Sequence, residues 1–318
     1  MSDRSLISII CPVYNEEATV GLFYPRLKAA IEPLTARHDF ELIFTNNCST
    51  DGTLREILKL RDDDPMVQVL TLSRNFGYEC SVATGLQHAR GAAVVVIDVD
   101  CEDPPEMIPQ LVAEWEKGYD VVYGKRDRRQ EPLLMHLTRK AFYRLNAVAA
   151  DSDVILDMAE FFLITAPVRD VVLANRSTVP FFRSEVAYAG FHRKGISYER
   201  QRRVAGKTHY NLGQLIWFAL RGMLSTSTFP LRLSVYTFLP LVVANVVLLA
   251  ADRFEWLVMV DFLYLAFYLG VLSVYLARTY KDVVGRPLSV VDWKRSAADR
   301  HPDRALTAPE SESVLSPR

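Results

Sequence analysis

Apolar and polar positions alternate along the first half of the chain on two length scales. Short apolar, β-branched runs at residues 6–11, 41–45, 67–72, 93–98 and 121–123 predict strands. Between and after them, residues 17–34, 53–61, 79–89, 106–117 and 133–149 place apolar side chains three and four apart, which predicts helices packed on those strands. This alternation implies an α/β domain with a mainly parallel, Rossmann-like sheet. The strands run into polar clusters: Tyr14-Asn15-Glu16, Asn46-Asn47, Ser73-Arg74-Asn75 and Asp98-Val99-Asp100. Ligands of open α/β sheets bind beyond the carboxyl ends of the strands, so these clusters are the first candidates for a site.

The pattern changes after residue 190. Residues 193–232 carry eight Lys/Arg against one acid, Glu199, and residues 233–251 follow without a charge. Residues 256–277 contain only Asp261 as a charged group. Each apolar run is long enough to cross a hydrocarbon core of about 30 Å at about 1.5 Å per residue. The turn at Asp252-Arg253-Phe254-Glu255 joins them into a helical hairpin, and neither run shows the polar face of a helix in a soluble domain. Bases before the hairpin, with Arg278, Lys281 and Arg286 after it, predict that both ends lie in the cytoplasm. Asp261 is expected at the far interface, or paired between subunits. Residues 211–225 fit both an interfacial helix lying in the membrane plane and an ordinary core helix. The expected organisation is an α/β domain over 1–210, an interfacial amphipathic helix over 211–230, two transmembrane helices over 231–278, and a cytoplasmic, mostly disordered tail over 279–318.

Composition narrows the picture. Of 318 residues, 50% are hydrophobic and 24% charged, which excludes a disordered chain, and 14 Gly with 16 Pro exclude a collagen-like one. A net charge of −1 gives no reason to expect a nucleic-acid partner. The four cysteines, Cys11, Cys48, Cys80 and Cys101, form no close pair, as expected of reduced thiols. The apolar run at the N-terminus is too short for a signal peptide and reads as the first strand.

The most informative segment is Val94 to Glu106, where a hydrophobic strand ends in several carboxylates followed by Pro104-Pro105. Asp98 and Asp100 share one side of the strand end, and Glu102 reaches them if the chain turns. Three such oxygen ligands suit Mg²⁺ or Mn²⁺. The bland reading is a solvated acidic loop capping the next helix.

With these residues in order, the chain resembles a family 2 glycosyltransferase of GT-A fold, in the membrane-associated group similar to dolichol-phosphate mannosyltransferases. The matching segments are Pro12-Val13-Tyr14-Asn15-Glu16-Glu17, Ser49-Thr50-Asp51-Gly52-Thr53, Ser73-Arg74-Asn75-Phe76-Gly77, Asp98 to Glu106, Arg203 to Tyr210, and Pro230-Leu231-Arg232. The resemblance implies that Pro12, Tyr14 and Glu16 line a nucleoside pocket, with Asn47 near the base and Asp98 near the ribose. It implies metal ligation by Asp98, Asp100 and Glu102, a grip on the acceptor phosphate by Arg126 and Arg139, and closure of Arg203 over the donor diphosphate. Glu160 is a further catalytic candidate that would orient acceptor or sugar.

Three positions depart from the family pattern. Asn46-Asn47 replaces the usual Asp-Asp. Glu160 and Phe162 stand where an acid and a base are usual, so an arginine is missing from that pocket. His209 stands in place of a lysine.

The implied reaction is metal-dependent, inverting transfer of a sugar from a nucleotide-diphosphate sugar to a polyprenyl phosphate at the inner, cytoplasmic membrane face, by a homo-oligomer such as a tetramer. The competing readings are transfer to another lipid or polysaccharide acceptor, and an inactive membrane-anchored scaffold. A soluble dinucleotide-binding enzyme is disfavoured because no GxGxxG follows the first strand.

Overall fold

The computed structural model describes residues 4–126, 155, 158–175, 177–178, 180–201 and 227–298. The described strands are β1 (Ser5–Val13), β2 (His38–Asn46), β3 (Val67–Thr71), β4 (Ala93–Val96), β5 (Val121–Arg126), β6 (Met158–Thr165) and β7 (Arg193–Tyr198). They form one sheet in the order β3-β2-β1-β4-β6-β5-β7. The β1–β2, β2–β3, β1–β4 and β5–β7 pairs are parallel, and β6 runs antiparallel to both β4 and β5. The expected mainly parallel α/β sheet is therefore present, with one reversed strand inserted.

Helices α1 (Glu17–Ile31), α2 (Thr53–Asp63), α3 (Tyr78–His88), α4 (Ile108–Glu116), α5 (Ala166–Ala174) and α6 (Phe182–Tyr188) cover the sheet. Successive strand residues face opposite sides, so β1 serves two cores. Ile7 and Ile9 pack with Phe23 and Leu27 of α1, Ile57 of α2 and Leu111 of α4. Ile10 packs with Val82 and Leu86 of α3, Val168 of α5 and Phe182 of α6. Cover on both faces explains why β1 and β4 read as unbroken apolar runs. Helix α3 lies so close to β1 that a Cβ at Gly85 would collide with Ile10. The helix expected over 133–149 lies outside the described residues.

Helices α7 (Phe229–Ala250) and α8 (Phe254–Val284) are each long and apolar enough to cross a membrane, and no residue of either is buried. They are joined through Asp252, at φ 55°. Polar contacts hold the pair together. Asn245 Nδ2 donates to Asp261 Oδ1 at 2.7 Å, Tyr264 OH donates to the Ser234 carbonyl at 2.9 Å, and Thr237 shares a hydrogen bond with Tyr268 at 2.8 Å. Asp261 is thus partnered across the hairpin within one chain. The interfacial helix expected over 211–230 falls largely outside the described residues.

The C-terminal expectation requires correction. Helix α8 continues to Val284, and Gly285 ends it in the left-handed conformation at φ 63°. Residues 288–298, assigned above to the tail, return to the catalytic domain and lie along β3, the edge strand. Val69 and Ala297 exchange backbone hydrogen bonds at 2.9 and 3.0 Å, Asp292 N donates to the Thr71 carbonyl at 2.7 Å, and Ser73 N donates to the Val290 carbonyl at 2.8 Å. Trp293 packs on His88, ring centroids 5.8 Å apart, and Ser289 shares a hydrogen bond of 2.6 Å with Thr84 of α3. An open strand edge presents unpaired donors and acceptors, which this strap satisfies. Composition hides such a role because many of the bonds are made by backbone.

Candidate active site

Strands β2, β1 and β4 lie side by side, and the loops leaving their carboxyl ends form a crevice. The chain leaves β1 towards β2 on one side and β4 on the other, which is the switch point where α/β sheets bind ligands. Asn15, Cys48 and Cys101, one in each loop, hold left-handed backbone at φ 57°, 60° and 57°. Non-glycine residues are uncommon there, and clusters of them mark functional loops.

The Ser49-Thr50-Asp51-Gly52-Thr53 segment works as a latch between two of these loops. Asn15 N donates to Ser49 Oγ at 3.0 Å, Thr50 N to Asn15 Oδ1 at 2.8 Å, and Glu16 N to Thr53 Oγ1 at 2.8 Å. Gly52 N donates to Glu17 Oε2 at 3.0 Å. Asp51 accepts from the Thr53 hydroxyl and backbone, and these bonds and the one from Glu17 N hold its carboxyl below the ordinary range against the opposing effect of burial.

Pro12 lies buried in β1 opposite Thr45, Tyr14 is 44% exposed at the crevice rim, and the Glu16 carboxylate accepts the Thr19 hydroxyl at 2.6 Å. Asn47 sits at the end of β2 and ties down the loop after β3. Its Oδ1 accepts from Phe76 N at 2.8 Å and its Nδ2 donates to Asn75 at 3.1 Å. Among the described residues this leaves Asn47 one N–H and one lone pair.

Carboxylates crowd the end of β4. Asp98 accepts from Tyr78 OH at 3.0 Å; burial first, then Asp100 and Asp103, push its pKa well above the carboxylate range. Asp100, 7% exposed, accepts from Glu102 N at 3.0 Å. Glu102, however, turns away to an ion pair with Arg200, and Asp103 accepts the Tyr198 hydroxyl. Thus Asp98, Asp100 and Glu102 are not gathered as a trio, and no group of three His, Cys, Asp or Glu suited to a metal converges among the described residues. The end of β7 holds Glu102, because Gln201 N also donates to its carbonyl at 2.9 Å.

Further carboxylates face the crevice from β6 and α3. Glu160 pairs with Arg183 of α6 at 2.7 Å. Glu79, desolvated and close to Glu160, has its pKa pushed up to about 8, opposed by a hydrogen bond from the Phe182 backbone and by Arg183. Phe162, two residues beyond Glu160, is buried in the core. Tyr78, Glu79, Asp103, Arg183 and Arg200 escaped the sequence reading. Asp103 carried a signal in its place within the acidic run, and Arg200 in the basic stretch after residue 190. Arg126 ends β5, while Arg139 and Arg203 lie outside the described residues.

Carboxylate oxygens predominate at the end of β4, and the mutual repulsion of Asp98 and Asp100 in a desolvated site would suit a hard divalent cation between them.

Comparison with known proteins adds independent findings. The family described as glycosyl transferase family 2 matches residues 8–147. An uncharacterized glycosyltransferase, YkcC, of Bacillus subtilis is 32% identical over 95% of this chain and 99% of its own length. A prophage bactoprenol glucosyl transferase homolog of Escherichia coli K12 is 34% identical over 90% of this chain and 98% of its own. Among solved structures, mannosyl-3-phosphoglycerate synthase from Rubrobacter xylanophilus is similar with a TM-score of 0.48 at 17% identity, covering 70% of this chain and 73% of that one.

Proposed function

The chain belongs to glycosyltransferase family 2, and from that premise we propose that it transfers one sugar, with inversion, from a nucleotide-diphosphate sugar to a polyprenyl phosphate at the cytoplasmic face of a membrane. The observation that carries this reading is the physical joining of the crevice to the apolar hairpin. Thr178 donates through both its backbone N, at 2.8 Å, and its hydroxyl, at 2.7 Å, to Asp282 in the last turns of α8, and the strap after α8 lies on β3. An acceptor embedded in lipid would therefore meet the acids at the end of β4 beside the membrane. The bactoprenol glucosyl transferase homolog, similar over almost its full length, supports a lipid acceptor.

In this reading Pro12, Tyr14 and Glu16 border the nucleoside, Asn47 reads the base, and Asp98 lies at the ribose. Asp98 and Asp100 would hold Mg²⁺ or Mn²⁺, which when bound offsets the charge of the departing diphosphate. Glu102 is available to join them only by releasing Arg200. Arg203 would cover the donor, and Arg126 and Arg139 the acceptor phosphate. A phosphate monoester has a second pKa near about 6, so its oxygen is already a nucleophile at neutral pH and needs positioning more than a base. Displacement from the side opposite the leaving diphosphate inverts the anomeric carbon.

The test is turnover of UDP-, GDP- and dTDP-sugars by the full-length protein in detergent with undecaprenyl phosphate and Mg²⁺ or Mn²⁺, read by mass spectrometry of the lipid fraction. One donor is expected to give a glycosyl lipid, with loss of product in EDTA. Product on a lipid lacking phosphate, or on a polysaccharide only, would overturn the acceptor assignment. No transfer from any donor, with nucleotide still bound, would favour the scaffold.

A further inference from the structure

We propose that Arg183 is a ligand of the acceptor phosphate, held in place by Glu160. This inference deepens the lipid-phosphate reading and rests on it.

Three observations converge on this residue. Arg183 Nε donates to Glu160 Oε1 at 2.7 Å, and among the described residues this is its only hydrogen bond, with neither terminal nitrogen engaged. The two side chains are 25% and 15% exposed, partly withdrawn from water but not sealed from it, and Glu160 is near enough to Asp98 and Tyr78 to bear on their electrostatics. The segment leading into α6 is the one fastened to the membrane hairpin, through Thr178 and Asp282. Arg183 therefore stands between the acids at the end of β4 and the helix end from which a lipid headgroup would arrive.

The chemistry fits a phosphate better than a second carboxylate. A guanidinium presents donors in a planar fork, and binding one edge through Nε leaves the other edge aimed and pre-organised. Glu160 and Phe162 face the same side of the sheet because they are two apart on β6. Phe162 is apolar and buried, so β6 offers no cation of its own there, and α6 delivers one to the neighbouring position. Beside Glu79, Asp98 and Glu160, a phosphate would need such a cation to enter a crevice that otherwise repels it.

The test measures KM separately for undecaprenyl phosphate and for the nucleotide sugar in wild-type, R183Q, R183K and E160Q proteins in detergent. R183Q is expected to raise the acceptor KM at least about tenfold while the donor KM stays within about twofold, the pattern of lost acceptor binding. R183K should recover part of the loss, because a point charge replaces the fork. E160Q should raise the acceptor KM less than R183Q. Unfolding temperatures serve as the fold control, and if R183Q fails to fold, R183K carries the test through the same split. An unchanged acceptor KM in active R183Q or R183K, or an equal rise in both constants, overturns the assignment. Wild-type protein that makes no glycosyl lipid overturns the underlying function instead.

Discussion

Replacing Glu41 with Gln should destabilise the catalytic domain without impairing its chemistry. Glu41 is 3% exposed near the start of β2, at the end of the sheet away from the crevice. Its carboxylate accepts from Ser8 Oγ at 2.5 Å, Arg90 N at 2.7 Å, Arg90 Nε at 2.9 Å and Gln68 Nε2 at 3.3 Å, with Arg90 Nη2 at 2.8 Å. These bonds join β1, β2, β3 and the turn before β4. A carboxamide keeps the shape but offers one acceptor oxygen, so its NH₂ must face donors on one side. Losing two bonds to a charged acceptor costs about 3–6 kcal/mol at about 1.5–3 each. Arg90 is 41% exposed and regains water, and a neutral Gln is cheaper to bury, which brings the net to about 2–4 kcal/mol. At about 2–4 °C per kcal/mol for a domain of this size, the unfolding temperature should fall by about 4–16 °C. Thermal unfolding in detergent reads the shift, and turnover at 20 °C should keep the wild-type kcat. An unfolding temperature within about 2 °C of wild type would refute the network's energetic role. A normal unfolding temperature with lost turnover would mean that the acid serves the reaction.

Asp100→Asn should abolish metal-dependent turnover while membrane insertion, read by resistance to carbonate extraction, is unchanged; retained activity would remove Asp100 from the metal site. Glu79→Gln should flatten the pH dependence of stability. Glu79 holds its proton in the folded state up to about pH 8, so its contribution is full below the ordinary carboxylate range and is lost as pH rises through about 8. Wild-type unfolding temperature should therefore drop more than that of E79Q between about pH 5 and pH 9, and parallel curves would contradict the assignment. Ala297→Pro removes the donor to the Val69 carbonyl, made at 2.9 Å, and should release the strap. Limited proteolysis should then cut within residues 286–298 while the protein stays in the membrane fraction; wild-type resistance would show that the strap is held by other contacts.

The first five strands were legible because burial on both faces leaves unbroken apolar runs. Strand β7 was not, since most of its positions are exposed or half-buried and its sequence, Arg193 to Tyr198, carries no alternating pattern. Strand β6 passed as a motif rather than a strand, and nothing in its residues announces that it runs antiparallel between β4 and β5. The crevice was partly legible. Carboxylates at the end of β4 and amides at the end of β2 follow from where strands stop. The partners that decide what those groups do come from afar: Arg200 withdraws Glu102, and Arg183, 23 residues beyond Glu160, replaces a base that β6 lacks. Pairings of this kind depend on how α6 and β7 pack, which no local spacing encodes. The strap was misread because its apolar positions, Leu288, Val290, Val291 and Trp293, are too few and too irregularly spaced to announce an element, and an unpaired strand edge is what orders its backbone.

The central claim is that a phosphate oxygen of a membrane lipid receives the sugar. Its most direct test incubates the purified full-length protein in liposomes with the active nucleotide sugar and either undecaprenyl phosphate or undecaprenol, and weighs the lipid products by mass spectrometry. The account predicts a glycosyl phosphodiester, heavier than undecaprenyl phosphate by one sugar residue, and no product from undecaprenol. Glycosylated undecaprenol, or sugar released to water at the same rate with and without the lipid phosphate, would contradict it.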